Sequence, residues 1–89
     1  MNKQGRKTLK EVQELLSQVN STLSDVLELV QSLIDEEQEK FDNLSEGLQA
    51  SEKGQTLESN VETLQELYDE IENLDSEIYD AGLHDAFEL

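Results

Sequence analysis

The chain has no cysteine, no proline and no tryptophan, and it has one methionine and one histidine in 89 residues. Without cysteine there is no disulfide framework and no thiolate metal or redox site. Small secreted folds usually depend on such staples, so a cytoplasmic setting is predicted. Long apolar runs are also missing. No segment approaches the roughly 18 apolar residues of a membrane span. The basic opening MNKQGRK is not followed by the apolar core of a signal peptide. At this length the chain is one domain at most.

Positive charge is scarce and confined. Lys3, Arg6, Lys7 and Lys10 stand in the first ten residues with no acid among them. The remainder sets all 22 acids against Lys40 and Lys53, a net charge of −20. That balance lacks the basic footprint of a nucleic-acid binder and repels anionic membranes, so neither is expected as a direct partner. It favours a basic protein surface, reached by fast, salt-sensitive association.

What the sequence does have is helical periodicity. Leu9, Val12, Leu16, Val19, Leu23, Val26, Val30 and Leu33 recur with 3-4 spacing, a heptad pattern. Leu15, Leu27, Leu29 and Ile34 widen the stripe, which suits a bundle better than a two-stranded seam. Thr8 is the predicted N-cap, with the helix continuing toward Phe41. A second run takes in Leu57, Val61, Leu64, Tyr68 and Ile71. It is then expected to drift to Leu74 and Ile78 and leave Asp75 off the stripe, as a straight helix requires. Ser51 is the predicted cap of this helix, and Gly82 its C-terminal glycine. Tyr68 and Tyr79 read as core-edge aromatics.

Between the runs, Asp42 and Asn43 favour turns, Gly47 and Gly54 permit left-handed backbone, and SEGLQAS is long enough for one helical turn. Phe41, Leu44 and Leu48 are expected to plug the corner. The predicted fold is all-α: two long helices in an antiparallel hairpin. Residues 1–7 form a basic lead-in, residues 8–82 the hairpin with a corner at about 42–55, and residues 83–89 a tail. One hairpin buries only one face of each helix. A homodimer forming a four-helix bundle is therefore expected. Its core is assigned to Leu16, Val19, Leu23, Val26, Val30 and Leu33. Between Leu15 and Ile34 the only charges are Asp25 and Glu28, which suits an interface.

The polar feature with most content is on the second helix. Glu58, Glu62, Glu66 and Glu70 repeat at i, i+4, with Asp69 and Glu77 nearby and no lysine or arginine from Gln55 to Leu89. Like charges at that spacing destabilise a helix. These six acids are the predicted partner-binding face. The alternative is a solvated face that keeps the protein soluble. Carboxylates about 6 Å apart along the axis are close enough to a phosphate lattice for nucleic-acid mimicry.

Enzymatic readings are weaker. Glu36-x-x-Glu39 with Glu66-x-x-Asp69 resembles the ExxE…ExxD signature of all-α nucleotide pyrophosphohydrolases of the MazG type. In that family such carboxylates hold Mg²⁺. The match covers four residues of an acidic chain and lacks phosphate-binding cations. Asp42 to Lys53 fails as a calcium loop because Leu44 and Lys53 occupy liganding positions. His84, beside Asp85, reads as a tail residue. The expected protein is not an enzyme and needs no cofactor or metal.

The segment Glu36 to Glu58, EEQEKFDNLSEGLQASEKGQTLE, resembles one in small acidic helical-hairpin proteins of phages and their bacterial hosts. The resemblance implies a helical hairpin and a place in the bacterial host cell. It also raises the expectation of a protein that binds and blocks a host or defence factor. A structural homodimeric coiled-coil module is the alternative role. No functional residue carries over from the resemblance.

Overall fold

A computed structural model describes residues 1–82. Three helices account for most of them: α1, Lys3–Asp42; α2, Glu46–Gln49; and α3, Glu52–Gly82. No strand occurs among the described residues. The molecule measures 68 × 15 × 15 Å with a radius of gyration of 20.1 Å. A compact chain of this length would have a radius of about 12 Å. The predicted tail, with His84 and Asp85, lies outside the described residues.

The start of α1 corrects the sequence reading. Asn2 is its N-cap, and Asn2 Oδ1 accepts a hydrogen bond from the Gly5 amide at 2.7 Å. The segment expected as a lead-in is therefore helical from Lys3. Thr8 lies inside the helix, where its hydroxyl donates to the Gln4 carbonyl at 3.1 Å.

Asn43 ends α1, its amide donating to the Glu39 carbonyl at 3.0 Å. The Ser45 side chain caps α2 at the Leu48 amide. Gln49 Nε2 ties the turn back to the Phe41 carbonyl at 3.1 Å. The hydroxyl of Ser51 donates to the Leu48 carbonyl instead of capping α3. Phe41 and Leu44 are partly buried here, whereas Leu48 is exposed and plugs nothing.

The glycines also act differently from expectation, since none has positive φ. Gly54 is buried because α3 starts hard against the backbone of Gln49, where a Cβ would collide. Gly82 is buried against the Leu16 side chain and lets the two helices approach closely. Gly47 has open space around it.

α3 packs along α1 in the opposite chain sense: Glu37 meets Asn60 near the corner, and Asn20 meets Asp75 further away. On α1 the less exposed positions Leu9, Gln13, Leu16, Asn20, Leu23, Leu27, Val30, Ile34, Glu37 and Phe41 are spaced 4-3, with Val26 half-buried beside them. Those on α3 are Gly54, Leu57, Val61, Leu64, Tyr68, Ile71, Asp75, Ile78 and Gly82, spaced 3-4. Both are complete heptad seams.

Two registers thus differ from the sequence reading. Gln13, Asn20, Leu27 and Ile34 alternate with Leu9, Leu16, Leu23 and Val30, in place of Val12, Val19, Val26 and Leu33. On α3 the seam keeps Asp75, and Leu74 stays 46% exposed. The physical reason is a polar layer. Asn20 Nδ2 donates to Asp75 Oδ1 at 2.6 Å and to the Asp75 carbonyl at 2.9 Å, so both polar residues have a partner in the seam. Asn20 Oδ1 remains buried without one. The core proper is small. Val30, Ile34 and Leu57 are its buried apolar side chains, toward the corner end, and none of them is completely shielded.

Candidate interaction surfaces

The grooves found among the described residues are shallow and open, so the candidate sites are surfaces. Glu58, Glu62, Glu66, Asp69, Glu70 and Glu77 all stand exposed on α3. Four of them climb about 6 Å per step and turn about 40° each time, so the ladder winds round the outer side of the helix. Among the described residues no lysine or arginine forms an ion pair with any of the six. The Asp69 carboxylate accepts from Gln65 at 3.3 Å. The ion pair the described residues do form is elsewhere, between Lys40 and Glu37 at 3.0 Å.

Glu37 sits at the edge of the seam. The hydrogen bond from Asn60 and then that from Lys40 hold its carboxyl below the usual range, against a smaller opposing effect of burial. The same contact raises Lys40.

The residues assigned to a dimer core divide into two sets. Leu16 and Leu23 are partly buried and Val30 is buried within the α1/α3 seam. Val19 and Leu33 are exposed at 42% and 46%, and Val26 is partly so. The more exposed leucines of α1 are Leu15 at 61% and Leu29 at 67%, which the sequence reading treats only as widening the stripe. Their signal is a second heptad interleaved with the first: Val12, Leu15, Val19, Thr22, Val26, Leu29 and Leu33, again spaced 3-4 and free of charge.

α3 adds to this face. Leu33 and Asn60 line one shallow groove of about 310 Å³ together with Glu37, Thr63 and Leu64. Leu67 and Leu74 follow Asn60 at seven-residue steps, and Val26, Val19 and Val12 precede Leu33 likewise, so both rows lie on the groove side. Leu67 is 42% exposed. Tyr68 packs in the seam, while Tyr79 is 54% exposed and not at a core edge.

Glu36 and Glu39 lie exposed on α1, and Glu66 and Asp69 exposed on α3. Among the described residues no group of three or more His, Cys, Asp or Glu is placed to hold a metal ion. No helix there is long and apolar enough to cross a membrane. Comparison with known protein families, curated proteins and solved structures finds none that matches the chain.

Proposed function

We propose that this chain is a non-enzymatic interaction protein. It is an antiparallel helical hairpin that dimerises into a four-helix bundle and presents the acidic side of α3 to a basic protein surface. One observation carries the reading: six carboxylates stand exposed on one helix, with no cation paired to any of them among the described residues. Such a face is costly to the helix that bears it. A cationic partner removes that cost, because a lysine or arginine set against the ladder replaces repulsion by attraction.

The partner chemistry that fits is a groove built to bind nucleic acid. Carboxylates about 6 Å apart approximate every second phosphate of one strand at about 3.4 Å per nucleotide. Together with the resemblance to acidic phage-linked hairpins, this gives a protein in the bacterial host cell that occupies such a groove and blocks its owner.

The test is capture from host lysate at low and moderate salt. Wild type is compared with the Glu62→Gln, Glu66→Gln, Glu70→Gln triple variant. The expected result is a basic, nucleic-acid-binding protein retained by wild type only and released by salt. Equal retention by both forms, or retention by neither, removes the proposal.

A further inference from the structure

We infer that the uncharged strip of α1 is covered by the same strip of a second copy, running antiparallel, with Thr22 near the two-fold axis. The inference deepens the dimeric reading above by fixing which face meets, and in which direction. The strip has the 3-4 spacing of a coiled-coil seam from Val12 to Leu33, and no charged side chain interrupts it. Of the charges between Leu15 and Ile34, Glu28 falls on the far side of α1, and Asp25 flanks the strip at its edge without entering it. A seam of this kind is complementary to itself.

Size argues the same way. The strip is about 32 Å long, for the 21 steps from Val12 to Leu33 at about 1.5 Å each. The helix pair is 15 Å across. Two such faces give on the order of 1,000 Å² of projected contact, the threshold for a specific interface.

The occupant is α1 of the copy, not its α3, because only α1 offers an uncharged surface. On α3 the row beside Leu67 and Leu74 holds Thr63, Glu70 and Glu77. Packing it on the valines and leucines of α1 would bury two carboxylates with no cation to meet them.

Direction follows from charge at the two ends of α1. Residues 3–10 carry four cations and no acid, while residues 35–46 carry six acids and one lysine. An antiparallel copy with Val12 opposite Leu33 sets each basic end alongside the other copy's acidic corner. A parallel copy sets like beside like at both ends. The helices lie about 8–10 Å apart, within roughly one Debye length at physiological salt, so this difference selects the antiparallel pair.

The experiment is sedimentation equilibrium of the full chain with disulfide trapping, which the absence of native cysteine keeps clean. Wild type should give twice the 10.1 kDa chain mass. Leu15→Glu and Leu29→Glu should each weaken the dimer at least 100-fold, with helix content retained. Ser24→Glu, on the opposite side of α1, should leave the mass unchanged. Val12→Cys and Leu33→Cys chains, mixed and oxidised, should link to each other and neither to itself.

A monomeric wild type at 100 µM overturns both the dimer and this inference. A dimer that survives Leu29→Glu overturns the face while leaving the dimeric reading intact, and self-linking by Val12→Cys overturns the direction. None of these readouts involves the acidic side of α3, so they stand or fall apart from partner capture.

Discussion

The Asn20–Asp75 layer gives the most exacting test of the fold. Asn20 donates twice to Asp75, at 2.6 and 2.9 Å, from a partly buried seam position. A hydrogen bond to a charged acceptor contributes about 1.5–3 kcal/mol net. Only the carboxylate bond depends on the Asp75 side chain, since the second acceptor is backbone carbonyl. Asn20→Ala should therefore cost about 2 kcal/mol or more, and Asp75→Ala somewhat less. The double variant should cost less than the two singles together, by a coupling of about 1–2 kcal/mol. Urea unfolding followed by circular dichroism, at one fixed protein concentration, reads all four corners of the cycle. Replacing both residues by leucine closes the seam with apolar contact and should raise stability by about 1–3 kcal/mol. That variant should also lose register, because a hydrogen-bonded polar pair partly buried within a seam fixes alignment. Additivity of the two alanine changes within about 0.5 kcal/mol would refute the argument, and so would a leucine pair less stable than wild type.

Gly54→Ala should destabilise by about 1–3 kcal/mol, because the added methyl meets the Gln49 backbone, whereas Gly47→Ala, in open space, should be neutral or stabilising by up to about 1 kcal/mol; thermal melts separate the two. The Glu62→Gln, Glu66→Gln, Glu70→Gln triple variant removes three like-charge i, i+4 pairs, so it should be more stable than wild type by about 1 kcal/mol even though it loses its partner. A lower melting temperature for that variant would show the ladder to be structurally supported. Glu37 has a lowered carboxyl, so its contribution is present above the unfolded value of about 4.3 and lost as pH falls through the lower folded value. The stability difference between wild type and Glu37→Gln should accordingly hold from pH 7 to 5 and shrink as pH falls below the unfolded value of about 4.3; a difference that does not shrink on acidification would contradict this.

The broad architecture was legible because it rests on local rules. Two long periodic runs become two long helices, α1 ends one residue past Phe41, and SEGLQAS supplies the single turn of α2. Register was not legible, and α1 shows why. It carries two heptads that share Leu9, Leu16, Leu23 and Val30. Hydropathy favours the one completed by valines, since the other contains Gln13 and Asn20. The choice is made by α3, through Leu27 and Ile34 beside the corner and through Asp75 opposite Asn20. A polar pair 55 residues apart leaves no mark on either helix read alone. The roles of Gly54 and Gly82 were hidden for a similar reason: what packs on them, the Gln49 backbone and the Leu16 side chain, depends on tertiary structure, and a left-handed turn is only one use of glycine. The acidic ladder was legible, since its positions follow from spacing alone, but spacing says nothing about what meets it.

The two proposed surfaces should respond to salt with opposite sign, and this would separate them in solution. Each copy carries a net charge of −16, so association of two copies works against repulsion between like charges. The opposite charges at the ends of α1 choose between two directions; they do not reverse the overall repulsion. Screening shortens from about 10 Å at 0.1 M salt to about 3 Å at 1 M, which weakens repulsion and leaves apolar contact in place. Dimerisation through the strip should therefore tighten as salt rises. Capture of a basic partner by α3 is attraction between unlike charges and should weaken over the same range. Sedimentation and capture measured in parallel from 0.05 to 0.5 M salt read the two signs. A dimer that dissociates with salt would mean that charge, and not the uncharged strip from Val12 to Leu33, holds the copies together. Capture that survives it would mean that the partner reads something other than the carboxylates of α3.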